Sequence, residues 1–207
     1  MTSLLFYTDD NEATVVTDTL IATKTEELLG FANKAIYIEK LRLICAGTGA
    51  AELFTRWISF MNKESRAFDV DSLNHQATKR LQSIWSEMQR ETPAFANYTA
   101  TVYLFGLSND TGLIHSYVYR SESGFVSSRL AHGLAMKPAI TPDQLEGVEY
   151  RNFPASSKEI MRRQAELECL KPKGDRVLIG GDANVITLTQ AGCQFSHLGP
   201  LGIDLPH

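Results

Sequence analysis

Two short apolar runs at the start of the chain, residues 3–8 and 13–18, flank the polar tetrapeptide Asp9-Asp10-Asn11-Glu12. Strand-like runs bounded by turn residues read as two strands joined by a tight turn. A hairpin here brings Asp18 back beside Thr2. Any fold of this chain must therefore seat its first residues in an antiparallel pair, with a carboxylate at the open end.

Thr2 follows the initiator methionine. Methionine is usually trimmed when the next side chain is small, so the expected mature chain begins at Thr2, with no propeptide or self-cleavage step. A free N-terminal threonine carries a hydroxyl nucleophile and an α-amine of pKa ~7.7–8.0 that can serve as its base. Downstream come a polar stretch ending at Gly30, strand-like segments at 33–38 and 41–49, and a helix-like segment at 50–61. Asp18 stands sixteen residues after Thr2 and Lys34 sixteen after Asp18. The strand at 41–49 closes on Cys45-Ala46-Gly47-Thr48-Gly49, a small-residue turn into the helix.

Over residues 2–61 this order resembles proteasome β-type subunits and their HslV-like relatives, within the N-terminal-nucleophile (Ntn) hydrolases. The resemblance implies an α+β fold, a four-layer αββα sandwich of two stacked antiparallel sheets between helices, with residues 1–207 forming one domain. It also implies roles. The Thr2 hydroxyl attacks a carbonyl, Lys34 lowers the pKa of the nucleophile and the α-amine, and Asp18 orients Lys34. The backbone N–H of Gly49, with Gly47 as second choice, stabilises the oxyanion. The chain departs from the family pattern at two places. Leu20 stands where an arginine is usual, and the Gly-Ser-Gly turn that supplies an auxiliary serine has no clean counterpart. Ser123-Gly124 and His132-Gly133 come nearest, which leaves Ser123 as the candidate auxiliary residue.

Each residue also has a plain structural interpretation. Asp18 would serve as a turn cap, Lys34 as a solvated lysine with Lys40 as a rival if the register shifts, and Gly47 and Gly49 as a tight strand-to-helix turn. Three functions stay open at this level: a threonine hydrolase cleaving peptide bonds, an Ntn amidase acting on a small metabolite, and an inactive subunit kept for binding or assembly. The resemblance further implies a homo-oligomer, with a ring as one form and any unfoldase partner left open.

Composition narrows the field. With 207 residues, 43% of them hydrophobic, and a net charge of −4, the chain can bury one sizeable core and offers no basic surface for nucleic acid. The apolar runs fall far short of the ~20 residues that span a bilayer, and no positively charged leader precedes them, so a cytoplasmic protein is expected. Cys45, Cys169 and Cys193 are odd in number and unlike a metal motif, which suits a reducing compartment. The five histidines show no paired spacing. No metal and no cofactor are expected.

Beyond residue 61, the apolar positions Leu73, Ala77, Leu81, Ile84, Trp85 and Met88 recur at helical spacing behind a cap at Asp71-Ser72, and Pro93 ends that helix. Strands are expected at 99–105, 113–119 and 124–130 as a meander, an irregular stretch at 133–155, and a helix from Ser156-Ser157 to about Leu170. Strands at 176–179 and 185–189 are expected to form a hairpin about residues 180–184.

Overall fold

The computed structural model describes residues 2–23, 25–148 and 150–203. Strands β1 (Leu4–Thr8) and β2 (Glu12–Asp18) form the N-terminal hairpin, with Leu4 opposite Thr17. Its turn is held by the Asp9 carboxylate, which accepts the N–H groups of Asn11 and Glu12 at 2.8 and 2.9 Å. A small hairpin of β3 (Leu20–Ala22) and β4 (Leu28–Phe31) follows, then β5 (Ala35–Ile38) and β6 (Leu43–Gly49). Helices α1 (Ala51–Lys63) and α2 (Val70–Glu91) come next. The cap of α2 is Asp69 rather than Asp71. The Asp69 side chain accepts the Ser72 N–H while Ser72 Oγ accepts the Asp69 N–H, a reciprocal capping box.

After α2 the chain forms β7 (Ala100–Leu107), β8 (Ile114–Arg120), the two-residue β9 (Ser128–Arg129) and β10 (Gly133–Lys137). Helix α3 (Ser157–Cys169) and the strands β11 (Asp182–Thr189) and β12 (Gly192–Pro200) complete the described elements. One five-stranded sheet has the order β10-β1-β2-β11-β12 and the other β5-β6-β7-β8-β9, with antiparallel pairing throughout.

Alternation along the strands sorts side chains into three buried layers. Leu4, Phe6 and Val15 meet Tyr103, Phe105 and Val118 between the two sheets. Leu5 and Val16 point the other way, onto Ile160, Met161 and Ala165 of α3. Leu53 and Trp57 of α1 and Leu73, Ala77 and Leu81 of α2 cover the outer face of the second sheet. Helices on the outside and two sheets within make the four-layer αββα sandwich, an α+β fold as expected. The layers are unequal: α1 and α2 cover one face, whereas α3 covers the other together with short 3₁₀ turns at Asp143–Leu145 and Tyr150–Asn152.

Three sequence expectations are corrected. Residues 133–137, expected to be irregular, form β10 at the edge of the first sheet beside β1. Gly-Leu-Ala-Met-Lys lacks the β-branched, alternating pattern of a strand, and its pairing with β1 is what makes it one. Residues 176–179 form no strand, and residues 180–184 no hairpin turn. The Gly180 carbonyl accepts the Leu20 N–H, and the Asp182 N–H goes to Thr19 Oγ1, so this segment crosses β3 instead of pairing along its own neighbour. Gly181 sits at φ +73° with Thr19 Oγ1 only 2.4 Å from where a Cβ would lie, so only glycine fits. The hairpin is instead β11–β12, with β12 absent from the sequence expectation because Gly192–Pro200 is glycine-bearing and half-exposed.

Burial fixes the expected response to truncation. Leu73→Ala, in the core under α2, should lower unfolding free energy by about 2–5 kcal/mol. Leu170→Ala, 83% exposed, should stay within about 0.5 kcal/mol of wild type. Urea midpoints at constant m-value measure both.

Candidate active site

The hairpin register sets Asp18 across from Ser3, with the Asp18 N–H donating to the Ser3 carbonyl at 3.3 Å. The Asp18 carboxylate is fully buried and collects three donors: the Ser3 N–H at 2.8 Å, the Lys34 ammonium at 2.7 Å and the Gly180 N–H at 3.2 Å. Lys34 stands just before β5 and is 8% exposed. One carboxylate thereby binds the start of β1, the start of β5 in the facing sheet, and the segment that leads into β11. Burial pushes the Asp18 carboxyl up and the Lys34 ammonium down, each opposed by the partner's charge. Lys40, the alternative lysine, lies at the surface and donates to the Asn62 carbonyl at 3.1 Å.

Thr2 and Lys34 both line a cavity of about 430 Å³ that also touches Gly47, Thr48, Gly49 and the first turn of α1. Thr2 itself is 6% exposed. Met1, whose removal the sequence reading requires, lies outside the described residues. Apolar walls come from Ile21, Leu29, Leu53, Phe54 and Phe95, with Glu52 the acidic side chain on the lining.

The two glycines differ. The Gly47 N–H donates to the Lys34 carbonyl at 3.1 Å, which corrects its candidacy as oxyanion donor, since that hydrogen is already engaged. Its missing side chain has a packing reason instead: a Cβ there would lie 2.6 Å from the Phe54 ring. Successive N–H groups leave a strand on opposite edges, so that of Gly49 leaves β6 on the same edge as Gly47, past the start of β5. Gly49 has φ +91°, and a Cβ would lie 2.0 Å from the Thr99 carbonyl oxygen. The helix N-terminus beside it carries no side-chain cap, so its leading N–H groups and positive dipole end face this part of the cavity.

Ser123 does not join this cluster. It sits in a 3₁₀ turn after β8, donates to the Arg120 carbonyl at 3.1 Å, and is not among the cavity residues, which corrects its candidacy as auxiliary serine. β10 lies at the sheet edge next to β1, and Pro138 follows it. Pro138 there is tied through Gln164 of α3, whose amide donates to the Pro138 carbonyl and accepts from Ser3 Oγ, each at 2.5 Å. Gln164 is one of the buried residues of α3, and nothing in the local sequence pattern marks its link to Ser3. Among the described residues no group of three or more His, Cys, Asp or Glu side chains could hold a metal ion. Cys45, Cys169 and Cys193 are all unpaired.

No family model matches the chain, and no curated protein sequence is similar to it. Solved structures are. Anbu (ancestral beta-subunit) from Yersinia bercovieri superposes at a TM-score of 0.63 and 9% identity, over 96% of this chain and 87% of that one. An Anbu (Gly-1) mutant from Hyphomicrobium sp. strain MC1 gives 0.63 and 8% over the same shares. The fold is similar to that of Anbu. The resemblance to proteasome β-type and HslV-like subunits is thereby corrected: no family model supports that membership, and the structural likeness, at these identities, extends to the fold alone. Among the described residues no helix is long and apolar enough to cross a membrane.

Breaking a buried ion pair from one side leaves an unpaired charge. Lys34→Met and Asp18→Asn are each expected to destabilise the protein by about 3–5 kcal/mol. The double variant should be more stable than either single one, because it leaves no charge behind. Chemical denaturation of the three variants checks this; a double variant as unstable as the sum would contradict it.

Proposed function

We propose that this protein is an N-terminal threonine hydrolase that cleaves amide bonds, with peptides as its substrates. The observation that carries the reading is one cavity lined by Thr2, Lys34 and Gly49, with Asp18 holding Lys34 from beneath. A hydroxyl is a poor nucleophile at neutral pH and needs a base beside it. The Thr2 α-amine, freed by removal of the residue before it, accepts the hydroxyl proton as Oγ1 attacks the substrate carbonyl. Lys34 keeps positive charge near that amine and favours its neutral, basic form. The Gly49 N–H and the start of α1 receive the oxyanion. The amine then returns the proton to the leaving nitrogen, and water hydrolyses the ester formed on Thr2.

Peptides are favoured over small amides by the walls. Residues 21–23 and 47–49 line the cavity from two sides and offer backbone edges to an extended chain. Residues 1–207 act as one domain in this reading. Three unpaired cysteines support a cytoplasmic location. Assembly into a homo-oligomer is part of the same proposal, supported by Leu28, Leu29 and Phe31, which are 50%, 63% and 67% exposed on the β4 hairpin. Light scattering at micromolar concentration tests it, and a monomer mass would count against it.

Intact mass should show Thr2 as the first residue, and treatment with a peptide epoxyketone should add one inhibitor mass. Thr2→Ala should abolish both labelling and peptide hydrolysis without loss of fold. Thr2→Ser should keep part of the activity, Lys34→Ala should lose roughly 10²–10⁴-fold, and Asp18→Asn should fall between the two. Retention of residue 1, or equal labelling of wild type and Lys34→Ala, would sink the hydrolase reading and leave a binding or assembly role.

A further inference from the structure

Lys137, the last residue of β10, is a half-buried lysine that the site described above does not use. Its register partner is Leu4, so both side chains stand on the same face of the sheet. Leu4 belongs to the layer between the two sheets, which places Lys137 there as well. Met136, one residue earlier, packs on the opposite, α3 face, as alternation requires. Thr2 precedes Leu4 by two residues and therefore shares its face. Continued in extended form past the last paired position, Leu4 opposite Lys137, the chain brings Thr2 diagonal to Lys137, and such neighbours stand roughly 7–8 Å apart, a separation that a lysine side chain spans.

The ammonium crosses to the facing sheet and donates to Thr101 Oγ1 of β7 at 3.0 Å. Thr101 is itself on the lining of the Thr2 cavity. Among the described residues no carboxylate lies within 4.0 Å of the Lys137 ammonium; its hydrogen-bond partner is a neutral hydroxyl. A lysine without an adjacent counter-charge is costly between two sheets, where a methionine of similar length would pack for less. Two lysines thus approach Thr2: Lys34 shares its cavity lining, and Lys137 stands on the same sheet face from the neighbouring strand. The second supplies a positive charge near a site where Leu20 has none.

We propose that Lys137 is a positioning residue whose charge, held by Thr101, keeps the Thr2 α-amine neutral and so available as the base of the reaction. The inference rests on the reading of Thr2 as a free N-terminal nucleophile. A nearby cation disfavours protonation of an amine, so the effect is a lower amine pKa. The other titratable and charged groups facing this region are Asp18 from β2, Lys34 before β5, Glu52 from α1, Tyr103 from β7, and Arg120 and Glu122 at the end of β8. Glu122 and Arg120 act on Lys137 with opposite signs, and burial holds its ammonium below the ordinary lysine range.

The test uses the full-length protein and acetic anhydride as probe. The rate of acetylation of the Thr2 α-amine is followed against pH by mass of the N-terminal peptide, with intact mass first establishing that Thr2 is the first residue. Lys137→Met should move the titration midpoint up by about one unit, and Lys137→Arg should restore the wild-type value. Thr101→Val, which keeps the charge but releases it from the site, should give a smaller upward shift and serves if Lys137→Met does not fold. Unchanged midpoints in Lys137→Met or, failing that, in Thr101→Val would overturn the inference while leaving the hydrolase reading intact. So would a Lys137→Arg midpoint equal to that of Lys137→Met. A chain that retains residue 1 overturns both.

Discussion

A carboxylate sealed from water needs donors around it, and Asp18 gathers three from distant parts of the chain. Ser3 belongs to the first strand, Lys34 to the approach to the facing sheet, and Gly180 to the segment that brings in β11. The geometry beside Thr2 follows from this one anion. The backbone N–H of the residue after Thr2 is fixed by Asp18, so the direction in which Thr2 enters the cavity is fixed with it. Lys34 is held at the same point, which makes the distance between the two proposed reacting groups a property of the fold rather than of a flexible loop.

The cavity is built from the ends of elements, not their middles. β6 stops at Gly49, α1 begins at Ala51, and the turn between them is open because Gly49 alone tolerates the Thr99 carbonyl so close. Gly47, two residues earlier, serves a different need. Its N–H closes the ladder to Lys34, and its bare Cα lets Phe54 pack against the strand. Two glycines that look equivalent in a Gly-x-Gly turn are therefore divided between a packing task and an open edge. The same economy appears across the site, where Gln164 joins Ser3 to Pro138 and so ties α3 to both β1 and β10.

The N-terminal hairpin was legible because turn chemistry at Asp9-Asp10-Asn11-Glu12 is local, and so was α2, whose apolar stripe is periodic from Leu73 to Met88, about four turns. The spacing of Thr2, Asp18 and Lys34 singles the three out; in the structure the Lys34 ammonium lies 2.7 Å from the Asp18 carboxylate, and Lys34 and Thr2 line the same cavity. Ser123 is a candidate read from a Ser-Gly pair alone, and in the structure its hydroxyl donates to the Arg120 carbonyl in the turn after β8. β10 and β12 were missed because their residues carry weak strand preference and their pairing partners lie more than a hundred residues away in β1 and a turn away in β11, respectively. The Gly180–Asn184 stretch has the residues of a hairpin turn, yet its N–H groups are drawn to Asp18 and Thr19.

By itself the sequence determined the elements whose causes are local: the first hairpin, the glycine turn, the periodic helices, and a threonine, an aspartate and a lysine spaced to meet. Tertiary structure decided which glycine keeps an open edge, which lysine is buried against the carboxylate, and that Lys137 shares the inter-sheet face with Leu4 and reaches Thr101. Those outcomes depend on strand register between segments far apart in sequence. Register is set by which side chains fill the layers between sheets and helices, and no window of neighbouring residues contains that information.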